Sequence, residues 1–443
     1  MRVLGNYLKD RYVVYESPNG VVSKEIYAGV PQGSVVGPLL WNLVYDGLLA
    51  RFDNRINIRS VAFADDLSIM VGLKKAENVE QMLNLHMTTI ANWCRSTGLQ
   101  TAREKTEIIM LTGMRVPKNL DITLAGTTLS MHNIVKYLGV VLDNRRNFGR
   151  HIEIVRARAD AVVGAIRGLL PNVNGPSYAC RRLYYQVWES VVLYASPVWR
   201  DALNTRNATK ELRKAQRSAL IGTSTAYRTV SHAALCVLTG TMPIHIRARW
   251  RWKIFEERKL ASFHLEEQEV RSARLASLEE NALEEWKGDL SQYNPANWTR
   301  RLITDGTTFW RKNRDIDHYI MQMLTGHGIF NQYRLRINKA DNDKCWDCEA
   351  SPDDAEHALL HCPRWVAQRT TLLNIAGQRL SVQNIVRIVT SDDRTWDQFG
   401  AYCGTIIRDR QVKEKLDERL RSRRRADSLN DSRRSRRRRR RKV

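Results

Sequence analysis

The chain lacks any apolar run approaching the roughly 18 residues of a membrane-spanning helix, and Met1 to Asp10 hold no apolar stretch of the secretory kind. An intracellular protein without a membrane partner is therefore expected. No internal repeat of about 20 to 50 residues is visible, which sets solenoids and propellers aside. Cysteine is scarce: seven residues, an odd number, argue against a disulfide framework and for free thiols or metal ligands. Acidic residues are also in deficit, 47 against 71 Lys and Arg, leaving a formal charge of +24. Such a balance favours a polyanionic partner, with nucleic acid the leading candidate. The excess is uneven, since Arg421 to Lys442 alone hold 13 basic and two acidic residues.

What is present suffices for two or three domains, with 443 residues of which 43% are hydrophobic. Residues 1–143 alternate β-branched runs (Tyr12 to Val14, Val61 to Ala64, Ile108 to Leu111) with helical patterns. Between Glu77 and Cys94, Val79, Met82, Leu83, Met87, Ile90, Trp93 and Cys94 follow the 3.6-residue period, and Gly98 marks a stop. From His151 to Ile254 the pattern is helical and basic, and Leu169, Leu170, Leu183, Tyr184, Val187, Val191, Leu193 and Tyr194 are expected to supply apolar faces. The mixed-charge stretch from Phe255 to Trp286 reads as solvated helix.

Two apolar runs, Val61 to Ala64 and Leu67 to Val71, flank Asp65 and Asp66, predicting a hairpin with both carboxylates at its tip. Such oxygens suit a hard cation such as magnesium, although an Asp-Asp pair alone is commonly just a solvated turn. Upstream, Gly29-Val30-Pro31-Gln32-Gly33-Ser34 precedes Gly37-Pro38-Leu39-Leu40-Trp41-Asn42, a glycine-rich loop leading into an apolar helix. Its glycines permit close backbone approach to a ligand, and Gln32 and Ser34 offer hydrogen bonds.

This loop, then Phe63-Ala64-Asp65-Asp66, Gly98-Leu99 with Lys105-Thr106-Glu107, and Lys136-Tyr137-Leu138-Gly139 resemble in order the palm motifs of a reverse transcriptase. Phe63 in place of tyrosine points to the non-LTR retrotransposon enzymes. Three further runs resemble the arthropod members: Val192 to Trp199, Ala226-Tyr227-Arg228-Thr229-Val230-Ser231, and Leu324-Thr325-Gly326-His327-Gly328.

The resemblance implies an RNA-directed DNA polymerase acting on an RNA template, a DNA target or primer and deoxynucleoside triphosphates. Asp65 and Asp66 would hold magnesium in a two-metal site. Gly29, Pro31, Gln32, Gly33 and Ser34 would position template and nucleotide, Lys105 would lie near the triphosphate, and Lys136, Tyr137, Leu138 and Gly139 would hold the primer. The implied fold is α+β: a partial palm over 1–143, a helical thumb over 144–240, a helical connector over 241–320, a zinc module over 321–410 and a disordered basic tail over 411–443.

The family's further catalytic aspartate stands on a strand well before the glycine loop, and here 28 residues precede Gly29. Asp10 is the only aspartate among them and a poor substitute, so the chain is expected to begin inside the palm and not to extend a primer alone. The alternative is a catalytically inactive nucleic-acid-binding remnant.

Cys345, Cys348, His357 and Cys362 form a C-x2-C-x8-H-x4-C pattern whose first pair has the spacing of structural zinc sites. A chance cluster or a redox pair is the competing reading. His361 would share a helical face with His357, and the choice of His357 follows the family pattern. With four protein ligands the zinc would be structural. The run from Arg433 to Lys442 reads as a nuclear address or a nucleic-acid clamp.

Overall fold

The computed structural model describes residues 2–53, 56–113, 119–171, 175–294, 297–307, 309 and 314–440. The chain divides into two compact units, Met1–Arg146 and Asn147–Val443.

In the first unit, helix α1 (Arg2–Leu8) precedes the antiparallel pair β1 (Tyr12–Ser17) and β2 (Gly20–Glu25), both largely exposed. Helix α2 (Gly37–Leu49) starts with Pro38 in its first turn, where a missing N–H is harmless. Strands β3 (Ile58–Phe63) and β4 (Asp66–Val71) pair antiparallel, and helix α3 (Ala76–Ser96) follows, ending before Gly98 at φ +70°.

The period-3.6 stripe of α3 does what its spacing predicts. Ile90 and Trp93 join a cluster with Tyr45, Leu48, Phe52 and Ile58, while Val79, Leu83 and Met87 pack on a second cluster of Leu120, Ile122, Leu124 and Leu129. The second cluster sits beneath short strands. Strand β5 (Ile108–Ile109) pairs in parallel with β8 (Met131–His132), and β6 (Thr123–Leu124) pairs antiparallel with β7 (Thr127–Thr128). Strands β9 (Ile134–Tyr137) and β10 (Val140–Asp143) close a hairpin through Leu138 and Gly139, at φ +44° and +82°. Two consecutive positive φ values match the twist of flanking strands, and glycine is the residue that adopts them without strain. Among the described residues these strands remain separate two-stranded ladders.

The second unit is helical throughout its described residues. Its elements are α4 (Gly149–Arg167), α5 (Tyr178–Val192), α6 (Arg206–Thr223), α7 (His232–Leu238), α8 (Ile244–Lys259), α9 (Ala261–Leu265), α10 (Gln268–Ser291), α11 (Trp298–Leu302), α12 (His318–Thr325), α13 (Asn331–Arg336), α14 (Val366–Ala376), α15 (Ile385–Val389) and α16 (Asp393–Arg440). The side chains of Ser177, Thr205, Ser231 and Asp317 cap α5, α6, α7 and α12 by accepting from free first-turn N–H groups.

Gln216 on α6 ties four helices together. Its amide nitrogen donates to Tyr185 Oη and Met242 O at 2.8 and 2.9 Å, while its oxygen accepts from Ile244 N and His232 Nε2 at 2.8 Å. A buried amide with this set of partners fixes one packing and strongly disfavours alternatives.

One sequence expectation is revised. The buried face of α5 is Arg181, Tyr185, Trp188 and Val192, whereas Leu183, Val187 and Tyr194 are exposed. Arg181 is tolerated inside because its guanidinium donates to the carbonyls of Leu170, Pro171 and Pro176. Trp298 Nε1 donates to Met323 O and His318 Nδ1 to Thr225 O, hydrogen bonds that run across positions 320 and 240. Helix α16 runs on past residue 411, and its Arg421 pairs with Asp341 at 2.8 Å. Among the described residues no helix is long and apolar enough to cross a membrane.

Candidate catalytic turn and candidate metal centre

The β3–β4 hairpin turns one residue earlier than its sequence suggests. Phe63 pairs with Asp66, so the loop is Ala64–Asp65 and Asp66 opens β4. Ala64 takes the positive φ, +53°, and its carbonyl accepts from Trp41 Nε1 at 2.9 Å. Trp41 lies on α2 and its ring is 5.1 Å from Tyr45, which lies 5.7 Å from Trp93. An aromatic stack thus anchors the hairpin tip while both carboxylates stay exposed. Burial pushes the Tyr45 phenol up to about 12, and the negative charges of Asp65 and Asp66 push the same way.

The glycine loop sits at the N-terminal end of α2. Gly29 and Gly33 adopt φ +78° and +84°. Ser34 Oγ donates to Pro31 O at 2.8 Å, accepts from Gly37 N at 3.1 Å and meets the Tyr7 hydroxyl. Arg11 Nη1 donates to Gly29 O at 2.6 Å. A Cβ on Gly98 would stand 3.2 Å from Ala28 Cβ, so the stop after α3 lies against the start of this loop. Pro31, Gln32 and Gly33 are exposed. Lys105 is exposed in a 3-10 turn, Arg103–Lys105, and Lys136 is exposed on β9. Tyr137 is half-buried on the same strand. Asp10 occupies a turn between α1 and β1 at φ +51° and is exposed.

In the second unit, Cys345, Cys348, His357 and Cys362 converge, their ligand atoms all within 4.8 Å of one another. Cys345 Sγ lies 3.9 Å from Cys362 Sγ, and Cys348 Sγ 3.3 Å from His357 Nε2. Zinc bonds of about 2.3 Å to sulfur and 2.0 Å to nitrogen at tetrahedral angles place ligands roughly 3.5 to 4 Å apart, so this donor set fits. His357 opens a single π-helical turn, His357–His361, that delivers Cys362 at its end.

Burial pushes the Cys345 thiol up to about 12, raises Cys362 and lowers His357. A cation within the cluster reverses the penalty on the thiolates. Beneath it, Arg410 and Asp353 form a fully buried bidentate pair at 2.7 and 2.8 Å, and Arg410 Nη2 also donates to Cys345 Sγ at 3.7 Å. Lys413 pairs with Asp347 between the first two cysteines.

Residues 3–142 match the family model described as reverse transcriptase (RNA-dependent DNA polymerase). The chain is 28% identical over 417 residues to the putative 115 kDa protein in type-1 retrotransposable element R1DM of Drosophila melanogaster, covering 91% of this chain and 40% of that protein. It is 26% identical over 410 residues to the retrovirus-related Pol polyprotein from type-1 retrotransposable element R1 2 of Nasonia vitripennis, covering 88% and 98%.

Over most of its length the chain is similar to proteins of non-LTR retrotransposable elements, and its residues 3–142 match the reverse transcriptase family.

A further relative, the probable RNA-directed DNA polymerase from transposon BS of Drosophila melanogaster, is 29% identical over 205 residues, 44% of this chain and 22% of that one. No solved structure shows significant similarity to the chain. Within the segment that matches the reverse transcriptase model, sequence reasoning missed the role of Trp41 as anchor of the turn. The signal was the spacing of Trp41 and Tyr45, i and i+4 on one helical face. The pairing of Asp353 with Arg410 carried no local signal, the two being 57 residues apart.

Proposed function

We propose that the chain carries the carboxylate turn of an RNA-directed DNA polymerase, taking RNA template, DNA primer and deoxynucleoside triphosphates. The observation that carries this reading is the β3–β4 hairpin: two exposed carboxylates on a tip fixed by Trp41, inside the segment that matches the reverse transcriptase model. Asp65 and Asp66 would hold magnesium, which when bound supplies positive charge against the triphosphate. The loop at Gly29 to Ser34, pinned by Arg11 and Tyr7, offers exposed Gln32 to the template side. Lys105 is assigned to the triphosphate, and the hairpin at Lys136 to Gly139 to the primer.

The test is primer extension on RNA with magnesium or manganese, by this chain and by the full reading frame that encodes it. Asp65→Ala with Asp66→Ala abolishes all extension. Extension that survives the double substitution removes the hairpin from the mechanism.

The Cys345, Cys348, His357 and Cys362 cluster is assigned one structural zinc, on the fit of its donors and distances. Elemental analysis gives one zinc per chain, lost in Cys345→Ser with Cys362→Ser. The arginine-rich end of α16 is suited to a phosphate backbone or a nuclear address.

A further inference from the structure

Two sequence runs that the carboxylate turn does not use meet in the second unit. Thr229 Oγ lies 2.8 Å from His327 Nδ1, and 2.7 Å from Tyr333 Oη. The rings form a ladder: His318 stacks on Tyr227 at 5.9 Å, Tyr227 meets Tyr333 edge-on at 6.2 Å, and Tyr333 stacks on His327 at 4.9 Å. The Arg336 guanidinium caps it, 5.1 Å over the Tyr333 ring and 3.4 Å from His327 Nε2. Burial, with Arg336 and Arg217 nearby, holds His327 down at about 4, so at neutral pH it is an uncharged hydrogen-bonding ring.

Beside the ladder opens a cavity of about 530 Å³. Tyr227, Arg228, Thr229 and Tyr333 line it, with Leu170 and Ile221 as apolar wall. The backbone of its rim is clamped, since Arg217 donates to the carbonyls of Val230 and Arg228. The Arg228 side chain is exposed and makes no ion pair with a described residue. Glu414, whose charge acts on Tyr227, pairs with Arg334 at 3.3 Å, and Arg336 like Arg228 makes no ion pair with a described residue.

We infer that this cavity takes one unstacked nucleotide of a single-stranded nucleic acid, its base against Tyr227 and its phosphate on Arg228 and Arg336. Single-strand binders combine aromatic faces for bases with cations along the backbone, and the pattern is sequence-tolerant because every base has a π-face. The cavity volume suits a ligand of nucleotide size, and Thr229 adds a hydroxyl at the rim. The inference rests on the nucleic-acid side of the proposed function alone and is independent of catalysis at Asp65 and Asp66.

The test uses the full chain and oligomers of about twelve nucleotides, RNA and DNA, each with a central 2-aminopurine, titrated at several salt concentrations. Binding quenches the probe. Stacking at roughly 1–3 kcal/mol per base predicts that Tyr227→Leu weakens binding about tenfold or more, while Tyr227→Phe, which keeps the ring, retains affinity. Arg228→Ala lowers the salt slope by about 1, whereas Arg258→Ala, the same charge removed from α8, leaves the quenching intact.

Equal RNA and DNA affinity assigns recognition to base and phosphate; preference for RNA adds a contact at the 2′-hydroxyl. The inference is overturned if duplex competes as well as single strand, or if Tyr227→Leu and Arg228→Ala behave like Arg258→Ala. Primer extension run in parallel separates the two readings, because lost extension with retained quenching strikes only the catalytic turn.

Discussion

The two units solve opposite problems. The first exposes its proposed chemistry: short two-stranded ladders and two modest apolar clusters bracket α3, and the carboxylates proposed to be catalytic stand in solvent on an anchored tip. The second buries its polar groups, with Trp188, Trp286, Trp365, Arg334 and Arg410 all essentially without solvent contact and a cluster of three cysteines and a histidine, the candidate zinc site, set above a buried ion pair. Stability and function are therefore separable in the first unit and entangled in the second. Substitutions at the site should be cheap to the fold in one and costly in the other.

The largest effect is expected at Arg410. Arg410→Met strands the Asp353 carboxylate at zero exposure, and removing one partner of a buried pair costs about 3–5 kcal/mol. Urea unfolding of the second unit measures it, and a loss below about 1 kcal/mol would show the pair to be dispensable. A comparable or somewhat smaller loss, about 2–5 kcal/mol, follows Leu235→Ala in the fully buried α7, while Ile90→Ala in α3 falls at the lower end because fewer buried neighbours surround it. Equal costs would erase the contrast between the cores.

Acidification sharpens the contrast further. Burial holds His232 at about 3 and His327 at about 4, both in the second unit and both below the ordinary 6.5. A group whose folded pKa is depressed favours the fold in its deprotonated form. That contribution is complete above about pH 6.5 and is lost as pH falls toward the folded values. The unfolding midpoint of the second unit should drop between pH 6.5 and 4, and His232→Gln should shallow the drop. A flat profile would contradict the neutral, buried state of these rings.

Smaller still is Gly139→Ala, which places a Cβ at φ +82° in the β9–β10 turn and costs about 1 kcal/mol by thermal melting. The smallest stability change belongs to the most consequential site: Asp65→Asn with Asp66→Asn, both exposed, should shift stability within about 0.5 kcal/mol. Under the proposed function, nucleotide incorporation by the full reading frame is nevertheless expected to be lost. A destabilised double variant would show that the carboxylates also hold the hairpin together.

Much of the first unit was legible in the chain. Apolar period marked α3, and the two apolar runs around Asp65 and Asp66 marked β3 and β4. The order of short motifs marked the reverse transcriptase segment. Its one misreading, a turn centred on Asp65 and Asp66 instead of Ala64 and Asp65, came from assuming that the aspartates occupy the unusual dihedral, which Ala64 takes with its carbonyl held by Trp41. The second unit was less legible. On α5, Leu183 and Val187 looked like the core face, but Arg181 with its three carbonyl partners, Tyr185 and Trp188 turned inward. A charged residue signals solvent locally, and nothing within a helical turn reveals that distant carbonyls will satisfy it.

By itself, the sequence determined the carboxylate pair, the glycine loop, the C-x2-C-x8-H-x4-C spacing and the basic excess, because each is set by residues close along the chain or by composition. Tertiary structure alone decided that Arg410 lies beneath the cysteines, that Gln216 binds four helices, and that Ala226 to Ser231 meets His327 and Tyr333 around one cavity. Those partners lie tens to about a hundred residues apart. Their pairing is the outcome of packing one core with its polar groups satisfied, a global condition that no local pattern encodes.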